Sequence, residues 1–152
     1  MSVTAGALMS SRSSDWATPL GFFLGLDSEF HFDLDVAASA QNAKCGRYFT
    51  IEDDGLSRDW APSVCWMNPP YGSTIGRWVE KAHHESTLGA TVVGLLPART
   101  DTEWWHRHVI AAAEIRFVRG RLKFQGHAKD APFPSAIAIW RPGRFPAERS
   151  EG

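Results

Sequence analysis

The stretch Ser63-Val64-Cys65-Trp66-Met67-Asn68-Pro69-Pro70-Tyr71-Gly72 decides the fold. Its first half is an apolar run of residues that favour β-strands. Neither proline carries an N–H, so the strand is predicted to end at Met67 or Asn68. Asn68 precedes a proline and is therefore driven toward an extended backbone. The Asn68 side chain, the Pro69 carbonyl and the Tyr71 ring should converge at the carboxyl end of this strand, where open α/β sheets bind ligands.

These three groups suit a planar substrate that carries an amine. An exocyclic amine of a nucleobase, or a carboxamide, is a poor nucleophile because its lone pair is delocalised. Asn68 Oδ1 and the Pro69 carbonyl are two acceptors that could hold its two hydrogens and favour a pyramidal nitrogen, while Tyr71 could stack on the ring. A plain turn that ends a strand has the same residue pattern, so both interpretations stay open on these residues alone.

The rest of the chain alternates between strand and helix patterns. Strands are predicted at 32–38, 45–49, 90–96, 115–118 and 136–140. Helices are predicted from a Thr18 N-cap and Pro19 to Gly25 or a turn beyond, over 75–88, and over 103–112 after a capping-box match at Thr100. The near-continuous apolar run at 90–96 is typical of a strand covered on both faces. This alternation predicts an α/β layered fold with a largely parallel sheet.

Composition fits one globular domain. The chain has 152 residues, of which 43% are hydrophobic and 22% charged. We predict a disordered Ser-rich tail over 1–14, a single domain over 15–143 and a second tail over 144–152. The two cysteines and six histidines lack metal-ligand spacing, so no metal site is predicted. No apolar run resembles a signal peptide or a membrane span, which favours a cytoplasmic protein that does not bind membranes.

Charge is unevenly distributed along the chain. Positions 1–98 hold 6 basic and 11 acidic residues, whereas positions 99–152 hold 10 and 6. The run 116–129 contains no acid, which makes the C-terminal third the candidate surface for an anionic partner. A solvated basic face is the alternative interpretation. No sequence feature indicates an oligomeric state.

Six motifs in one order carry a resemblance to a known family. They are Thr18-Pro19, Leu34-Asp35-Val36-Ala37-Ala38, Asp54-Gly55-Leu56 with Asp59-Trp60, Asn68-Pro69-Pro70-Tyr71, Leu96-Pro97-Ala98-Arg99-Thr100, and Gly120-Arg121-Leu122-Lys123-Phe124 with Pro132-Phe133-Pro134-Ser135. Over residues 15–143 the chain resembles the phage-encoded DNA N-6-adenine methyltransferases. The resemblance implies a Rossmann-like, class I fold that uses S-adenosylmethionine, with helices on both faces and an antiparallel last strand.

The resemblance also implies residue roles. Asn68, Pro69, Pro70 and Tyr71 would hold a flipped adenine as the catalytic motif. Asp35 would lie beside the methionine part of S-adenosylmethionine, and Asp54 would hydrogen-bond its adenine. The full implied cofactor set is Trp16, Thr18, Pro19, Asp35, Ala37, Asp54, Leu56 and Asn68. The chain departs from the usual pattern because Ala37-Ala38-Ser39 stands where such enzymes carry a Gly-rich turn.

The implied activity is methyl transfer from S-adenosylmethionine to the N6 amine of adenine in DNA, by in-line displacement and without a metal. The DNA would be a duplex with a flipped base or a single strand, in the cytoplasm of a bacterial host. The expected DNA contacts are Arg99, Arg119, Arg121, Lys123, Phe124 and Phe133. Methylation of cytosine N4 or of a protein glutamine, and a non-catalytic nucleic-acid-binding phage protein, are the alternatives.

Overall fold

The computed structural model describes residues 16–143. The two predicted tails, 1–14 and 144–152, lie outside the described residues, as does Asp15. The helical segments, in chain order, are α1 (Leu20–Phe30), a short 3-10 helix (Gly55–Ser57), α2 (Ile75–Thr87) and a π-helix (Trp105–Ile110). The strands are β1 (Leu34–Asp35), β2 (Val64–Met67), β3 (Thr91–Pro97), β4 (Glu114–Phe117) and β5 (Ser135–Trp140).

The five strands form one sheet in the order β1-β2-β3-β5-β4. β1, β2 and β3 are mutually parallel, with Asp35 opposite Trp66 and Trp66 opposite Val93. β5 enters between β3 and β4 and runs antiparallel to both. The predicted α/β sheet, parallel at its start with an antiparallel last strand, is confirmed. Because β1 and β2 are parallel, Asp35 and Asn68 lie at the same edge of the sheet.

Helices lie on both faces of the sheet. Side chains alternate between faces along a strand, so the paired residues Trp66, Val93 and Ile139 share one face. Phe23 of α1 packs edge-on against Trp66, with ring centroids 5.3 Å apart. On the opposite face, Trp140 Nε1 donates to the His108 carbonyl of the π-helix at 2.7 Å.

The core is dense in aromatic side chains. Trp60, Trp66, Trp105 and Trp140 are fully buried, and every residue of β5 is buried. Full burial of such large side chains removes much apolar surface from water, roughly 1.5–3 kcal/mol for each large apolar side chain. A core of this kind provides a rigid base for the loops at the carboxyl edge.

The structure corrects three local predictions. Helix α1 begins at Leu20 with no side-chain cap and continues to Phe30, where His31 closes it in the left-handed conformation at φ 57°. Thr18 is therefore not the N-cap, and of the two predicted ends, Gly25 or a turn beyond it, the helix takes the later one. The predicted strand 45–49 is reduced to a single bridge between Asp35 and Tyr48.

The third correction concerns the helix predicted over 103–112. It is present, but it becomes a π-helix from Trp105 to Ile110. Thr102 Oγ1 accepts from the Trp105 N–H at 3.3 Å, so Thr102 supplies the cap that the sequence pattern gives to Thr100. Glu103 pairs with Arg107 at 3.1 Å instead of closing a capping box.

Candidate active site

Hydrogen bonds within residues 16–143 hold only the nitrogen of the Asn68 amide. Its Nδ2 donates to the Trp16 carbonyl and to Thr18 Oγ1, the latter at 3.0 Å. A backbone carbonyl can only accept, so the atom that faces it must be the amide nitrogen. Oδ1 is buried and has no hydrogen-bond partner among residues 16–143. An acceptor left unpaired in a buried position costs roughly 1–3 kcal/mol, so this one is expected to serve a ligand.

The residues after Asn68 are held tightly. Pro69 is buried, and no backbone N–H of the described residues donates to its carbonyl. Tyr71 is 6% exposed, and its hydroxyl donates to the Leu95 carbonyl at 2.8 Å. Burial raises the pKa of Tyr71 well above its ordinary value, although the charge of Arg99 opposes the shift. The Tyr71 hydroxyl therefore stays protonated and does not act as a base.

Tyr71 belongs to an aromatic cluster, which we define as Trp16, Tyr71, Phe124, His127 and Phe133. The Phe133 ring lies 5.5 Å from Tyr71 and 5.1 Å from Trp16, edge-on in both cases. The Trp16 indole stacks on the His127 imidazole with centroids 4.2 Å apart. Stacking of a substrate ring on Tyr71 stays a prediction, and it requires one of these neighbours to uncover a face of the Tyr71 ring.

The structure places the two aromatic residues of the expected DNA surface inside this cluster. Phe124 is 1% exposed and packs edge-on against Trp16 at 5.4 Å. Phe133 is partly buried. Neither side chain forms an open DNA-facing surface in this conformation, because aromatic neighbours occupy the space around each ring. Their position beside Tyr71 instead puts them near the end of β2.

A cavity of about 400 Å³, here called the main cavity, opens beside Asn68. Its walls come from four regions, namely Val36, Ala37, Ala38, Ser39, Asn42, Phe49, Thr50, Ile51, Asp54, Gly55, Leu56, Asn68, Pro70, Thr74 and Trp78. Four of the expected cofactor residues line it: Ala37, Asp54, Leu56 and Asn68. Its volume falls in the range of pockets that bind small molecules, roughly 300–1,000 Å³.

A smaller recess adjoins the main cavity and shares Ala37, Asn42 and Asn68 with it. Thr18 and Asp35, two further expected cofactor residues, line this recess. Trp16 and Pro19 line neither space, although Trp16 supplies the carbonyl that anchors Asn68. The structure therefore gathers most of the expected cofactor residues around two cavities that share lining residues.

Asp35 is a buried carboxylate at the tip of β1. Its Oδ2 accepts from the Lys44 N–H at 3.0 Å, and its Oδ1 from the Ala37 N–H at 3.3 Å. Burial raises the pKa of Asp35 above its ordinary value, and those two N–H groups together with the Lys44 charge only partly offset the rise. A cation bound next to Asp35 would favour the ionised form and lower this pKa.

The part of the main cavity wall around Asp54 and Gly55 depends on a close backbone approach. Asp54 has a left-handed backbone at φ 55°, an uncommon conformation outside glycine. Gly55 follows, and a Cβ placed on it would lie 2.3 Å from the Val36 carbonyl oxygen and 3.1 Å from the Trp78 ring. Only glycine fits there without a shift of the wall.

A buried glutamate supports this wall from behind. Glu85 Oε1 accepts from the Trp60 and Ala61 N–H groups, each at 2.9 Å, and Lys81 pairs with Oε2 at 2.9 Å. Burial raises the pKa of Glu85, but hydrogen bonds from Ala61, Lys81 and Trp60 outweigh it, so the pKa is lowered overall. Trp60 Nε1 in turn donates to the Gly55 carbonyl at 2.9 Å.

Sequence reasoning missed several cavity residues, among them Asn42, Thr50, Ile51 and Trp78. Asn42 and Thr50 each hydrogen-bond within their own loop, to Ser39 and Asp53. Because 45–49 was predicted as a strand, the loops on either side of it were not predicted to line a cavity. Trp78 was assigned to a helical apolar face, and its ring also lies beside Gly55 and lines the main cavity.

The four basic residues expected to contact DNA are exposed. Arg99, Arg119, Arg121 and Lys123 make no ion pair with the acids of residues 16–143. Arg116, at the start of the acid-free run, differs because it pairs with Glu29 at 2.7 Å and with Glu114 at 3.1 Å. Arg116 is therefore occupied within the fold.

Within residues 16–143, no group of three or more His, Cys, Asp or Glu side chains is placed to hold a metal ion. His83 and His108, which the sequence did not bring together, meet with their Nδ1 atoms 3.0 Å apart. The same part of the chain contains no helix with the length and apolar character needed to span a membrane.

A family model described as DNA N-6-adenine-methyltransferase (Dam) matches residues 6–148. The chain belongs to this family. The motif resemblance noted in the sequence is thereby confirmed, and the family assignment covers nearly the whole chain, including the Asn68–Tyr71 motif and both walls of the main cavity.

Curated relatives agree with the family assignment. The DNA N-6-adenine-methyltransferase of Haemophilus phage HP1 (strain HP1c1) is 38% identical over 106 residues, which is 68% of this chain and 61% of that protein. The enzyme of the same name from Escherichia phage T1 is 33% identical over 109 residues, 70% of this chain and 45% of that protein. The putative methyltransferase YfdM of Escherichia coli (strain K12) is 38% identical over 63 residues, 37% of this chain and 69% of that protein. The matched regions thus span about three fifths of the phage HP1 protein and under half of the phage T1 protein.

Proposed function

We propose that this chain transfers a methyl group from S-adenosylmethionine to the N6 amine of adenine in DNA. The observation that carries the proposal is the Asn68 amide, whose nitrogen is anchored while its buried Oδ1 has no partner among residues 16–143. An unpaired acceptor at the end of β2 matches the need of an exocyclic amine for a group that takes a hydrogen bond from it. The family and the names of its phage relatives point to the same reaction.

The residues around the main cavity fit S-adenosylmethionine. Small side chains at Ala37 and Ala38 leave the backbone open to a ligand, and the Asp35 carboxylate offers a negative charge in the adjoining recess. Asp54 also lines the main cavity, where it would hydrogen-bond the adenine part of the cofactor. When bound, S-adenosylmethionine supplies an electrophilic methyl group on a positively charged sulfur. We infer that the five-stranded sheet is the core of a Rossmann-like, class I fold.

The protein's contribution to the reaction is then positioning and electrostatics. Asn68 Oδ1 and the Pro69 carbonyl accept the two hydrogens of the adenine amine and direct its lone pair toward the cavity. Tyr71 supplies the stacking surface once the aromatic cluster opens. Asn68 cannot take up a proton, and the hydroxyl of Tyr71 stays protonated, so neither acts as a general base. The bond from N6 to the methyl group would form as the methyl–sulfur bond breaks, S-adenosylhomocysteine would leave, and the proton lost by the amine would pass to solvent.

We propose DNA as the partner, bound through Arg99, Arg119, Arg121 and Lys123. These side chains are exposed and carry no acidic partner within residues 16–143, so they are available to phosphates. The adenine would enter either as a flipped base of a duplex or from a single strand. DNA as substrate and phage relatives also favour action in the cytoplasm of a bacterial host.

The test uses S-adenosylmethionine with a labelled methyl group and two acceptors, duplex DNA and a mixture of host proteins. We expect the label in DNA, and digestion of that DNA to nucleosides should yield labelled N6-methyldeoxyadenosine. Asn68→Ala serves as the control that lacks the proposed acceptor. Label in N4-methylcytosine or in protein glutamine would overturn the adenine assignment, and absence of transfer together with absence of cofactor binding would overturn the enzyme assignment.

A further inference from the structure

We propose that Thr18 is a positioning residue for the reaction, acting through Asn68 and not through the cofactor. This inference rests on the proposed function. An amide side chain can turn about its Cβ–Cγ bond, and a half-turn exchanges the acceptor Oδ1 for the donor Nδ2. A donor presented to the amine of adenine would repel its hydrogens. The orientation of the Asn68 amide therefore decides whether the site can hold its substrate.

The Trp16 carbonyl can only accept, so it selects the nitrogen end of the amide, and Thr18 Oγ1 supplies a second acceptor that holds this orientation. The Trp16 carbonyl and Thr18 Oγ1 each receive a hydrogen bond from Asn68 Nδ2, so both hydrogens of the NH₂ group are used. One hydrogen bond would leave the amide free to pivot about the donor–acceptor line. Two bonds with different directions fix the amide plane, and Oδ1 is held at a constant position.

The Thr18 hydroxyl is available for this task because helix α1 does not use it. Thr18 and Pro19 form a typical helix entry, yet α1 begins at Leu20 without any side-chain cap bond. The side chain of Thr18 is instead 2% exposed and turned to Asn68, which lies 50 positions later in the chain. A buried threonine hydroxyl that neither caps its helix nor faces solvent has a specific partner, and that partner is the Asn68 amide.

The backbone on either side keeps Thr18 in place. Ala17 forms an antiparallel bridge with Gln125, whose N–H donates to the Ala17 carbonyl at 2.9 Å. The Trp16 ring stacks on His127, which fixes the residue whose carbonyl is the second acceptor. Pro19 restricts the backbone immediately after Thr18. Residues 16–19 thus form a rigid support for the amide of Asn68.

Thr18 also borders the recess beside Asp35, so contact with the cofactor is the competing role. The two roles differ in what they change. A positioning residue alters turnover and leaves cofactor affinity intact, whereas a cofactor contact alters affinity. Thr18→Val keeps the shape of the side chain and removes the hydroxyl, and Thr18→Ser keeps the hydroxyl and removes a methyl group.

The experiment measures single-turnover methylation rate, KM for DNA and Kd for S-adenosylmethionine in these variants. We expect Thr18→Val to slow methylation roughly three- to tenfold, as loss of one hydrogen bond does, with KM and Kd unchanged. Thr18→Ser should restore most of the rate. In an Asn68→Ala background, Thr18→Val should have no additional effect on rate, because its partner is already absent.

A second readout does not depend on activity. Hydrogen exchange of the Asn68 side-chain NH₂, assigned by its loss in Asn68→Ala, should be slow in the parent and in Thr18→Ser but fast in Thr18→Val. A raised Kd with normal exchange would assign Thr18 to the cofactor and overturn the proposal, as would full additivity of the two mutations. If the parent protein neither methylates DNA nor binds S-adenosylmethionine, the proposed function fails, and the exchange rates alone then decide whether Thr18 fixes the amide.

Discussion

The two sides of the proposed active site are constructed differently, although both lie at the carboxyl edge of the sheet. The main cavity is open, with about 400 Å³ of space between small side chains and backbone. The target side is filled by the aromatic cluster, in which Tyr71 is 6% and Phe124 1% exposed. We therefore expect the cofactor to bind without DNA, whereas a target base must displace protein rings before it can stack.

The polar groups of the two sides differ in the same way. On the cofactor side, Asp35 already has two N–H donors, and a ligand would add to an existing network. On the target side, Asn68 Oδ1 has no partner until a substrate supplies one. An acceptor that is paired only by the reacting group contributes more to the transition state than to cofactor binding. The following predictions separate these contributions.

The largest effect is expected for Asn68→Ala. The change removes one of the two acceptors for the adenine amine, and loss of one preorganised hydrogen-bonding group at a reacting centre costs roughly 100-fold or more in turnover. The Kd for S-adenosylmethionine should change little. Single-turnover methylation and calorimetric titration measure the two quantities.

Gln125→Ala is the matched control, because it removes an exposed amide on the same side of the molecule. It should leave turnover near the parent value. An Asn68→Ala protein that methylates DNA at the parent rate would contradict the assignment of the acceptor and, with it, the contrast between the two sides.

The second prediction tests the close contact behind the main cavity. Gly55→Ala places a Cβ about 2.3 Å from the Val36 carbonyl oxygen, so the wall must shift. Overpacking of this kind lowers the free energy of unfolding by roughly 1–3 kcal/mol, and we expect weaker cofactor binding as well. Urea unfolding of the two proteins measures the loss.

Gly25→Ala provides the control within α1, where a Cβ would meet nothing within 4 Å. An alanine in a helix is favoured over glycine by roughly 0.5–1 kcal/mol, so this variant should gain stability. Equal stability of Gly55→Ala and the parent would mean that the wall is more adaptable than its geometry indicates.

The target motif was predictable from the sequence because its signal is local. Two prolines end β2 at a defined residue, and parallel pairing then places Asn68 at the same edge as Asp35. The role of Thr18 was not predictable in this way, since a threonine before a proline has the same pattern whether it caps a helix or holds a side chain 50 positions away. The local sequence does not determine whether the Thr18 hydroxyl bonds to the start of its own helix or to a distant side chain.

Long-range packing also explains the other differences. Gly25 has low helix propensity, yet α1 continues past it because Phe23 packs on Trp66 and Glu29 pairs with Arg116. Phe124 was expected among the DNA contacts. Its burial depends on contacts with Trp16 and Tyr71, which lie far away in sequence.

The third prediction concerns the basic side chains around the target side. Charge reversal at Arg119 and Arg121 should lower duplex affinity roughly tenfold at moderate salt and for all sequences alike. Each lost phosphate contact should reduce the slope of log affinity against log salt by about 0.9. Cofactor affinity should stay unchanged, since neither residue lines the main cavity.

Arg107→Glu is the matched control because Arg107 lies on the π-helix, outside the basic segment, and is exposed but pairs with Glu103. It should alter the salt slope little. A double variant at Arg119 and Arg121 with the parent's affinity and slope would assign these two residues to a solvated face and leave Arg99 as the candidate phosphate contact.

The smallest expected effect is the pH dependence of cofactor binding, and it probes the cofactor side alone. Burial raises the pKa of Asp35, and the N–H groups of Lys44 and Ala37 only partly offset it. A sulfonium cation binds the ionised carboxylate better than the neutral acid, so affinity should increase as pH rises through this pKa and level off above it. At a pH below this pKa, cofactor binding should release a proton to the buffer, which calorimetry in buffers of different ionisation enthalpy detects.

The Asp35→Asn variant should bind the cofactor more weakly and lose the pH dependence. S-adenosylhomocysteine, which lacks the positive charge on sulfur, should show a much smaller pH dependence with the parent protein. Equal pH profiles for the two ligands would mean that Asp35 does not face the sulfur, and would point instead to the α-ammonium group, which both ligands carry, as its partner.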